Sequence, residues 1–141
     1  MGIDYFIDLT ERGEVREYRA LLPKRSQYLR SEIPDMRTPQ DLTQMQTLQA
    51  RIRNALLLGR HIYIHCRAGI GRTGLVVGCY LAGEAADGAA ALSELNRIWR
   101  QSERAETWPQ VPQTAEQADY VRHWPPKRTP PQRTVRPKRA R

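Results

Sequence analysis

The residues with the clearest capacity for chemistry stand in one run, residues 65–74, which reads HCRAGIGRTG. Cys66 precedes Arg72 by six positions with two glycines between them; the residues before this run predict a buried strand and those after it a helix. A strand, a glycine-rich loop and a helix N-terminus aim several backbone N–H groups at one point, which suits a phosphate dianion. The Arg72 guanidinium adds donors for two phosphate oxygens, and the same positive field favours the thiolate of Cys66. The run therefore predicts a cysteine nucleophile facing a phosphorus atom.

The pattern His-Cys, five residues, Arg-Thr-Gly resembles the active-site loop of the protein tyrosine phosphatase superfamily, in particular its small dual-specificity-like members. The resemblance implies that Cys66 is the nucleophile, that Arg72 binds phosphate, that Thr73 donates to the sulfur and that His65 orders the loop. It also implies a phosphate-binding loop made by Arg67, Ala68, Gly69, Ile70, Gly71 and Arg72. The alternative is a glycine-rich turn with an inert buried cysteine, but such a turn needs neither Arg72 nor two internal glycines.

A general acid must protonate the oxygen that leaves, and residues 32–39 (EIPDMRTP) offer Asp35 between two prolines that stiffen the chain. The superfamily carries its acid on an aspartate loop upstream of the cysteine, and this segment is similar to the version in small dual-specificity-like members. The resemblance implies that Asp35 is the acid. Two alternatives remain: Asp35 only stabilises a turn, or Asp41 is the acid, although a position in the first turn of a helix already accounts for Asp41.

Hydrolysis of a phosphocysteine needs a positioned water molecule. Residues 114–117 (TAEQ) resemble the late glutamine-bearing segment of the same families, in which Gln117 would orient that water. Thr-x-x-Gln before a helix is equally the signature of a capping box. Both interpretations of Gln117 stay open.

Strand-like and helix-like segments alternate along the chain, which predicts an α/β domain with a central, mostly parallel sheet flanked by helices and the loop at the carboxyl end of a strand. The predicted strands cover residues 5–9, 27–33 and 61–65. The first helix is predicted to have Thr38 as N-cap and Pro39 at its first position and to end at Gly59. Three more helices are predicted over 73–86, 89–101 and 115–124. The first helix is predicted to bury Leu42, Met45, Leu48, Ile52 and Leu56.

The predicted helix after the loop carries Gly74, Gly78 and Ala82 at four-residue spacing. Each glycine costs roughly 1 kcal/mol of helix stability relative to alanine. This four-residue spacing places the small residues on one face of the helix, where neighbouring elements can pack closely, and such packing explains the pattern. Cys79 lies on the adjoining apolar side and is predicted to be a core residue, because a position two turns along a helix is poorly placed to form a disulfide with Cys66.

Charge is unevenly placed along the chain. The 141 residues carry a net charge of +8, and residues 127–141 hold seven of the 23 basic residues and no acidic one. With five prolines and almost no apolar content, residues 125–141 are predicted to be a disordered basic tail that follows a phosphatase domain in residues 1–124. The tail is either a solvated segment or a weak binding site for polyanions such as nucleic acid, anionic lipid or an acidic partner.

A further resemblance to small dual-specificity-like phosphatases runs from Phe6 to Trp124. It includes residues 6–11 (FIDLTE), Gly13, Glu14 and Tyr18, none with an obvious chemical role. Family members usually have more strand and loop residues before this block. The resemblance therefore predicts either a domain trimmed at its N-terminal sheet edge or a chain whose start is misassigned.

These observations predict an enzyme that hydrolyses phosphomonoesters, foremost protein phosphotyrosine and also phosphoserine and phosphothreonine. No cluster with metal-ligand spacing is present in the sequence, so no metal and no cofactor are expected. Two cysteines and the absence of a run of ~18 apolar residues fit a monomeric cytoplasmic protein without a membrane span. The alternative substrates are phosphoinositides, inositol phosphates and RNA 5′-phosphates. The alternative of another class is a non-catalytic module that binds phosphate or nucleic acid.

Overall fold

The computed structural model describes residues 2–127. The predicted alternation of strands and helices is confirmed within this range, with two additional short 3-10 helices. The strands are β1 (Tyr5–Asp8), β2 (Gln27–Arg30) and β3 (Ile62–His65). The helices are α1 (Leu42–Leu57), α2 (Gly71–Ala85), α3 (Gly88–Trp99) and α4 (Ala115–Arg122), and the 3-10 helices are Arg19–Leu21 and Glu103–Glu106.

The three strands form one parallel sheet in the order β2-β1-β3. Because Asp8 is in register with Arg30 and with His65, all three strands end at the same edge of the sheet. The segments that follow β1, β2 and β3 therefore begin side by side, and they carry the candidate site. Regular β2 pairing ends at Arg30, earlier than predicted, although Ile33 N–H still donates to the Leu9 carbonyl at 3.1 Å.

The predicted start of the first helix is wrong. Asp41, not Thr38, is the N-cap of α1, and its carboxylate accepts a hydrogen bond of 2.8 Å from Thr43 N–H. The Thr38 hydroxyl instead donates to Glu116 on α4. Asp41 therefore precedes the helix as its cap and does not lie in its first turn, the position predicted for it.

The buried face of α1 is also narrower than predicted. Leu42 and Leu56, in the first and last turns, are 44% and 42% exposed, because they lie beyond the part of the helix that neighbouring elements cover. The helix residues that are buried are Met45, Leu48, Gln49, Ile52 and Ala55. Gln49 is tolerated inside because its side-chain amide donates to the Val76 carbonyl at 2.9 Å.

Helix α2 is packed tightly against the C-terminal part of the domain, as its small residues predicted. A Cβ atom added at Gly78 would lie 2.8 Å from Val121 on α4, and one added at Gly74 would lie 3.2 Å from the Pro112 backbone. Cys79 is fully buried in the main hydrophobic core, where burial raises the pKa of its thiol. The close packing fixes the position of the α2 N-terminus, where the loop of residues 66–70 ends.

The predicted basic tail falls almost entirely on residues 128–141, which lie outside the described residues. Within the described range, no helix combines the length and the apolar character needed to cross a membrane.

Candidate active site

The loop between β3 and α2 brings the predicted nucleophile and its arginine into one site. Cys66 follows the last residue of β3, and Gly71 is the first residue of α2. Gly69 has φ of +75°, a left-handed conformation that favours glycine. The loop therefore turns sharply and ends on the N-terminus of a helix that carries positive partial charge.

The Cys66 sulfur is held as a hydrogen-bond acceptor. It accepts from Gly69 N–H at 3.2 Å and from the Thr73 hydroxyl at 3.1 Å, and the residue is 8% exposed. Burial raises the pKa of the Cys66 thiol, but the hydrogen bonds from Thr73 and Gly69 and the charge of Arg72 together lower it below the ordinary value. The pocket therefore favours thiolate at Cys66, in contrast to the buried thiol of Cys79.

Arg72 is almost completely buried, and four of its five N–H groups face protein acceptors. Nη1 donates to Glu14 Oε2 at 2.7 Å and to the Ile33 carbonyl at 3.1 Å. Nη2 donates to Glu14 Oε1 and lies 3.3 Å from Asp35 Oδ1. Within the described residues Nε has no hydrogen-bond partner although it is buried. A buried guanidinium N–H without a hydrogen-bond partner destabilises the folded state unless a ligand accepts its hydrogen bond. The Nε and Nη2 edge of Arg72 is therefore the one available to an anion.

Glu14 has a place in this site that the sequence did not reveal. In the sequence, Glu14 stands out only through the similarity of its segment to small dual-specificity-like phosphatases. In the structure, both of its carboxylate oxygens accept hydrogen bonds from the end of the Arg72 guanidinium. The hydrogen bond from Arg72, opposed by burial, lowers the pKa of Glu14, so the pair stays ionised. Glu14 therefore fixes the plane of the arginine fork before any substrate arrives.

Asp35 lies at the mouth of the same pocket. Its side chain is 61% exposed, and its Oδ1 accepts from Met36 N–H at 2.9 Å while it faces Arg72. Met36 has a positive φ of 59°, so the loop turns immediately after Asp35. The structure thus brings Asp35 next to Arg72, whereas Asp41 caps α1 elsewhere.

His65 connects the start of the loop to a buried polar network. Its Nδ1 is 3.1 Å from the Cys66 carbonyl, an acceptor, so this nitrogen carries the proton. In the neutral ring Nε2 is then an acceptor, and the Tyr18 hydroxyl donates to it at 2.5 Å. Burial raises the pKa of Tyr18, which keeps it protonated. His65 therefore orients the backbone beside Cys66, and Tyr18 is a second residue to which the sequence assigned no role.

A model of the family described as "Tc-R-P: Polymorphic toxin system, DSP-PTPase phosphatase" matches residues 1–86, more than half of the chain. This range contains Glu14, Asp35, Cys66 and Arg72. The chain belongs to this family. The expected relation to small dual-specificity-like members of the protein tyrosine phosphatase superfamily is thereby confirmed.

Two viral relatives carry the name tyrosine phosphatase. Protein 067L of Invertebrate iridescent virus 3 is 40% identical over 86 residues, 57% of this chain, and protein 197R of Invertebrate iridescent virus 6 is 25% identical over 126 residues, 87% of this chain. The matched parts are 35% and 43% of those two proteins, so the chain spans less than half of either.

The fold also matches solved phosphatase structures. The crystal structure of Tk-PTP in the active form has a TM-score of 0.69 and 25% identity, over 84% of this chain and 76% of that chain. The cysteine-phosphatase fold predicted from the sequence is therefore confirmed, with a three-stranded parallel sheet in the described residues of this family member.

Two glutamines of this family member lie beside the N-terminus of α2. A Cβ atom added at Gly71 would be 3.1 Å from the Oε1 atoms of both Gln113 and Gln117. Both ends of the Gln117 amide are engaged: Oε1 accepts from Thr114 N–H in a capping box, and Nε2 donates to the Arg37 carbonyl in the Asp35 loop. Gln113 is the other glutamine at this position, and no local pattern in the sequence indicates a role for it.

The predicted phosphate-binding loop contributes mainly backbone. Ile70 is 1% exposed and packs with Leu95 and Val111, so its side chain anchors the loop and only its backbone can face a ligand. Arg67 and Ala68 are exposed.

In residues 2–127, no group of three or more His, Cys, Asp and Glu side chains could hold a metal ion.

Proposed function

We propose that this protein hydrolyses phosphomonoesters, foremost protein phosphotyrosine and also phosphoserine and phosphothreonine, through a phosphocysteine intermediate. The observation that carries the proposal is the pairing of the hydrogen-bonded Cys66 sulfur with a buried Arg72 whose Nε has no partner in the described residues. One phosphate group would serve both residues. Its phosphorus is an electrophile for the Cys66 sulfur, and its oxygens can accept hydrogen bonds from the open edge of Arg72.

In the first step the Cys66 thiolate attacks phosphorus. The S–P bond forms as the ester P–O bond breaks, and Asp35 gives its proton to the leaving oxygen. Loop N–H groups and Arg72 stabilise the equatorial oxygens, since positioning and charge stabilisation dominate phosphoryl transfer. Glu14 holds the Arg72 fork in place during this step.

The ion pair between Asp35 and Arg72 provides a way to couple binding to acid catalysis. Nη2 faces Asp35 at 3.3 Å, on the guanidinium edge that also contains the unpartnered Nε. A phosphate that binds this edge takes the place of the Asp35 carboxylate at Nη2. The displaced Asp35 carboxylate, which is on the exposed side of the site, takes up a proton from bulk water and can then give it to the leaving oxygen.

In the second step water attacks the phosphocysteine, and the S–P bond breaks to release phosphate and the thiolate. The Thr73 hydroxyl, 3.1 Å from the sulfur, stabilises the departing thiolate. Asp35, now unprotonated, accepts the proton of the attacking water. Release of that proton to solvent and of phosphate from Arg72 then restores the Asp35–Arg72 ion pair.

The simplest test is turnover of para-nitrophenyl phosphate with purified protein in the presence of a chelator. The proposal expects hydrolysis that is insensitive to the chelator. Vanadate should suppress it by taking the place of phosphate, and peroxide should suppress it because a thiolate is readily oxidised. Turnover that the chelator abolishes and zinc or magnesium restores would contradict the mechanism. Binding of phosphate without any turnover would favour the non-catalytic module.

Substrate class is tested with a panel of phosphopeptides, phosphoinositides, inositol phosphates and RNA 5′-phosphates. The proposal expects the highest kcat/KM for phosphotyrosine peptides. Within the loop Arg67 is the one cation besides Arg72, and Ile70 is apolar and buried, which offers little for a polyanionic headgroup. A preference for the lipid or RNA substrates would replace the phosphoprotein proposal.

Substitution of Asp35 with asparagine should cost most with poor leaving groups. Para-nitrophenolate departs with little protonation, whereas a serine oxygen needs a proton as the bond breaks, so the loss should be about 10²-fold or more for phosphoserine peptide and small for the activated ester. The basic limb of the pH–rate profile should also flatten. Equal losses for both substrates would transfer the acid role to another residue, and Asp41→Asn is the matched control.

Substitution of Gln113 and substitution of Gln117 should have different effects on hydrolysis of the phosphocysteine. If Gln113 positions the water, Gln113→Ala should slow breakdown of the phosphocysteine, seen as accumulation of the intermediate in a rapid-quench experiment, with little loss of stability. Gln117→Ala should lower the melting temperature, because Gln117 caps α4 and binds the Asp35 loop. Accumulation of the intermediate only in Gln117→Ala would restore the role that the sequence implied for Gln117.

A reactive thiolate requires a reducing compartment, and we propose that the protein acts in the cytoplasm as a monomer. Its basic C-terminal residues are proposed to give weak, salt-dependent binding to polyanions, since clustered cations release counterions on binding.

A further inference from the structure

Arg104 reaches the catalytic loop from a distant part of the chain. It lies in the 3-10 helix Glu103–Glu106, which follows α3, and its Nη1 donates to the Ala68 carbonyl. The same Nη1 would be 3.6 Å from a Cβ atom added at Gly69. Arg104 is outside the residues that the family model matches, and the chemistry proposed above leaves it without a function.

The Ala68 carbonyl and the Gly69 N–H belong to one peptide group. This peptide bond is trans, and the two groups of a trans peptide point in opposite directions. On one side Arg104 holds the carbonyl, and on the other side the N–H donates to Cys66 Sγ at 3.2 Å. Rotation of this peptide would break both hydrogen bonds together. Gly69 has a positive φ, and because glycine also tolerates negative φ, its backbone could adopt the rotated conformation without steric strain.

The guanidinium of Arg104 is held in place by its own surroundings. Its Cζ lies 5.9 Å from the centroid of the Trp99 ring, a cation–π arrangement. The Trp99 indole N–H donates to the Trp108 carbonyl at 2.6 Å, and Trp108 N–H donates to the Arg104 carbonyl at 2.9 Å. Arg104 is therefore fixed at both its backbone and its head group, although its side chain is exposed.

We propose that Arg104 is a positioning residue for the Ala68–Gly69 peptide. By holding the Ala68 carbonyl, it keeps the Gly69 N–H directed at Cys66 and so keeps the loop in the conformation that donates a hydrogen bond to the sulfur. The inference rests on the proposed role of Cys66. Without Arg104 no donor among residues 2–127 holds the Ala68 carbonyl outward, and the Gly69 peptide can turn. The sulfur then loses one of its hydrogen-bond donors, and a phosphate oxygen loses a loop N–H group.

The decisive measurement is the pH dependence of Cys66 alkylation by iodoacetamide, which does not require turnover. Arg104→Ala should raise the apparent thiol pKa by about one unit, the value of one charge-assisted hydrogen bond. At pH values below that pKa, kcat/KM for para-nitrophenyl phosphate should fall about tenfold. Arg104→Lys should recover most of the wild-type behaviour, because one ammonium N–H suffices for one carbonyl.

Two controls separate this positioning role from charge alone. Arg100→Ala removes an arginine from the same end of α3 and should leave alkylation unchanged. The shift caused by Arg104→Ala should persist in 1 M salt, where the Debye length is about 3 Å and remote charges are screened.

Three outcomes would overturn the proposal: an unchanged thiol pKa, a shift that high salt abolishes, and an effect confined to KM for phosphopeptides. The last would make Arg104 a substrate contact. If the wild-type protein had no phosphatase activity but Arg104→Ala still shifted the alkylation profile, the proposed function would fail while the positioning role stood.

Discussion

A Cys66→Ser variant should lose turnover of para-nitrophenyl phosphate by more than about 10³-fold while it retains the fold. Gly69 N–H and the Thr73 hydroxyl both donate hydrogen bonds to the Cys66 sulfur. They stabilise a thiolate but offer no base for the proton of a serine hydroxyl. Initial rates at several pH values would check this, and the wild-type rate should persist to lower pH than a free thiol allows, because the pKa of Cys66 is lowered.

Cys79→Ala is the matched control for that experiment. Cys79 is fully buried in the core and its thiol pKa is raised, so removing its sulfur should affect stability and leave turnover intact. Cys66→Ser should still bind vanadate or inorganic phosphate, because Arg72 and the loop remain. Retention of more than a small fraction of the rate in Cys66→Ser would exclude the phosphocysteine route.

The sequence was sufficient for the part of the site that is contiguous in the chain. Residues 65–74 contain their own strand end, turn and helix start, so the position of Cys66 relative to Arg72 follows from local geometry. The close packing of α2 could be predicted for the same reason, because the spacing of its small residues is a local pattern. A Cβ atom added at Gly78 would lie 2.8 Å from Val121.

The sequence was insufficient where the site depends on contacts between distant segments. Glu14, Tyr18 and Arg104 are 58, 47 and 36 residues from their partners in the loop region. Each is a common residue type in a polar segment, and nothing in its local pattern indicates a partner. For Glu14 and Tyr18 the contact follows from the register of the parallel strands, which brings the segments after β1 and β3 to one edge. For Arg104 it follows from the position of the 3-10 helix after α3.

The same limit explains the error at the start of α1. Thr38 followed by Pro39 is a good local signal for a helix start, and Asp41 is an equally good N-cap. The choice is made by tertiary contacts, because Thr38 hydrogen-bonds Glu116 and the neighbouring Arg37 carbonyl accepts from Gln117. These bonds hold the Asp35 loop against α4 and keep residues 38–40 out of the helix.

An Arg72→Lys variant should be nearly as inactive as Arg72→Ala, with kcat/KM for an aryl phosphate reduced by about 10²-fold or more. The guanidinium satisfies Glu14 with two parallel bonds and the Ile33 carbonyl with a third, while its Nε and Nη2 edge remains for phosphate. A lysine ammonium has three donors from a single nitrogen and cannot bind Glu14 on one side and two phosphate oxygens on the other. Steady-state kinetics and vanadate affinity for both variants would measure this.

Arg97→Lys is the matched control, because Arg97 also binds a glutamate with two bonds, at 2.8 and 2.7 Å to Glu94, on the exposed face of α3. That variant should keep full activity. Arg104→Lys should keep most of its activity as well, since its role needs one hydrogen bond. If Arg72→Lys retained near wild-type kinetics, a single positive charge would suffice at this position, and neither the bidentate Glu14 pair nor the open guanidinium edge would be part of the mechanism.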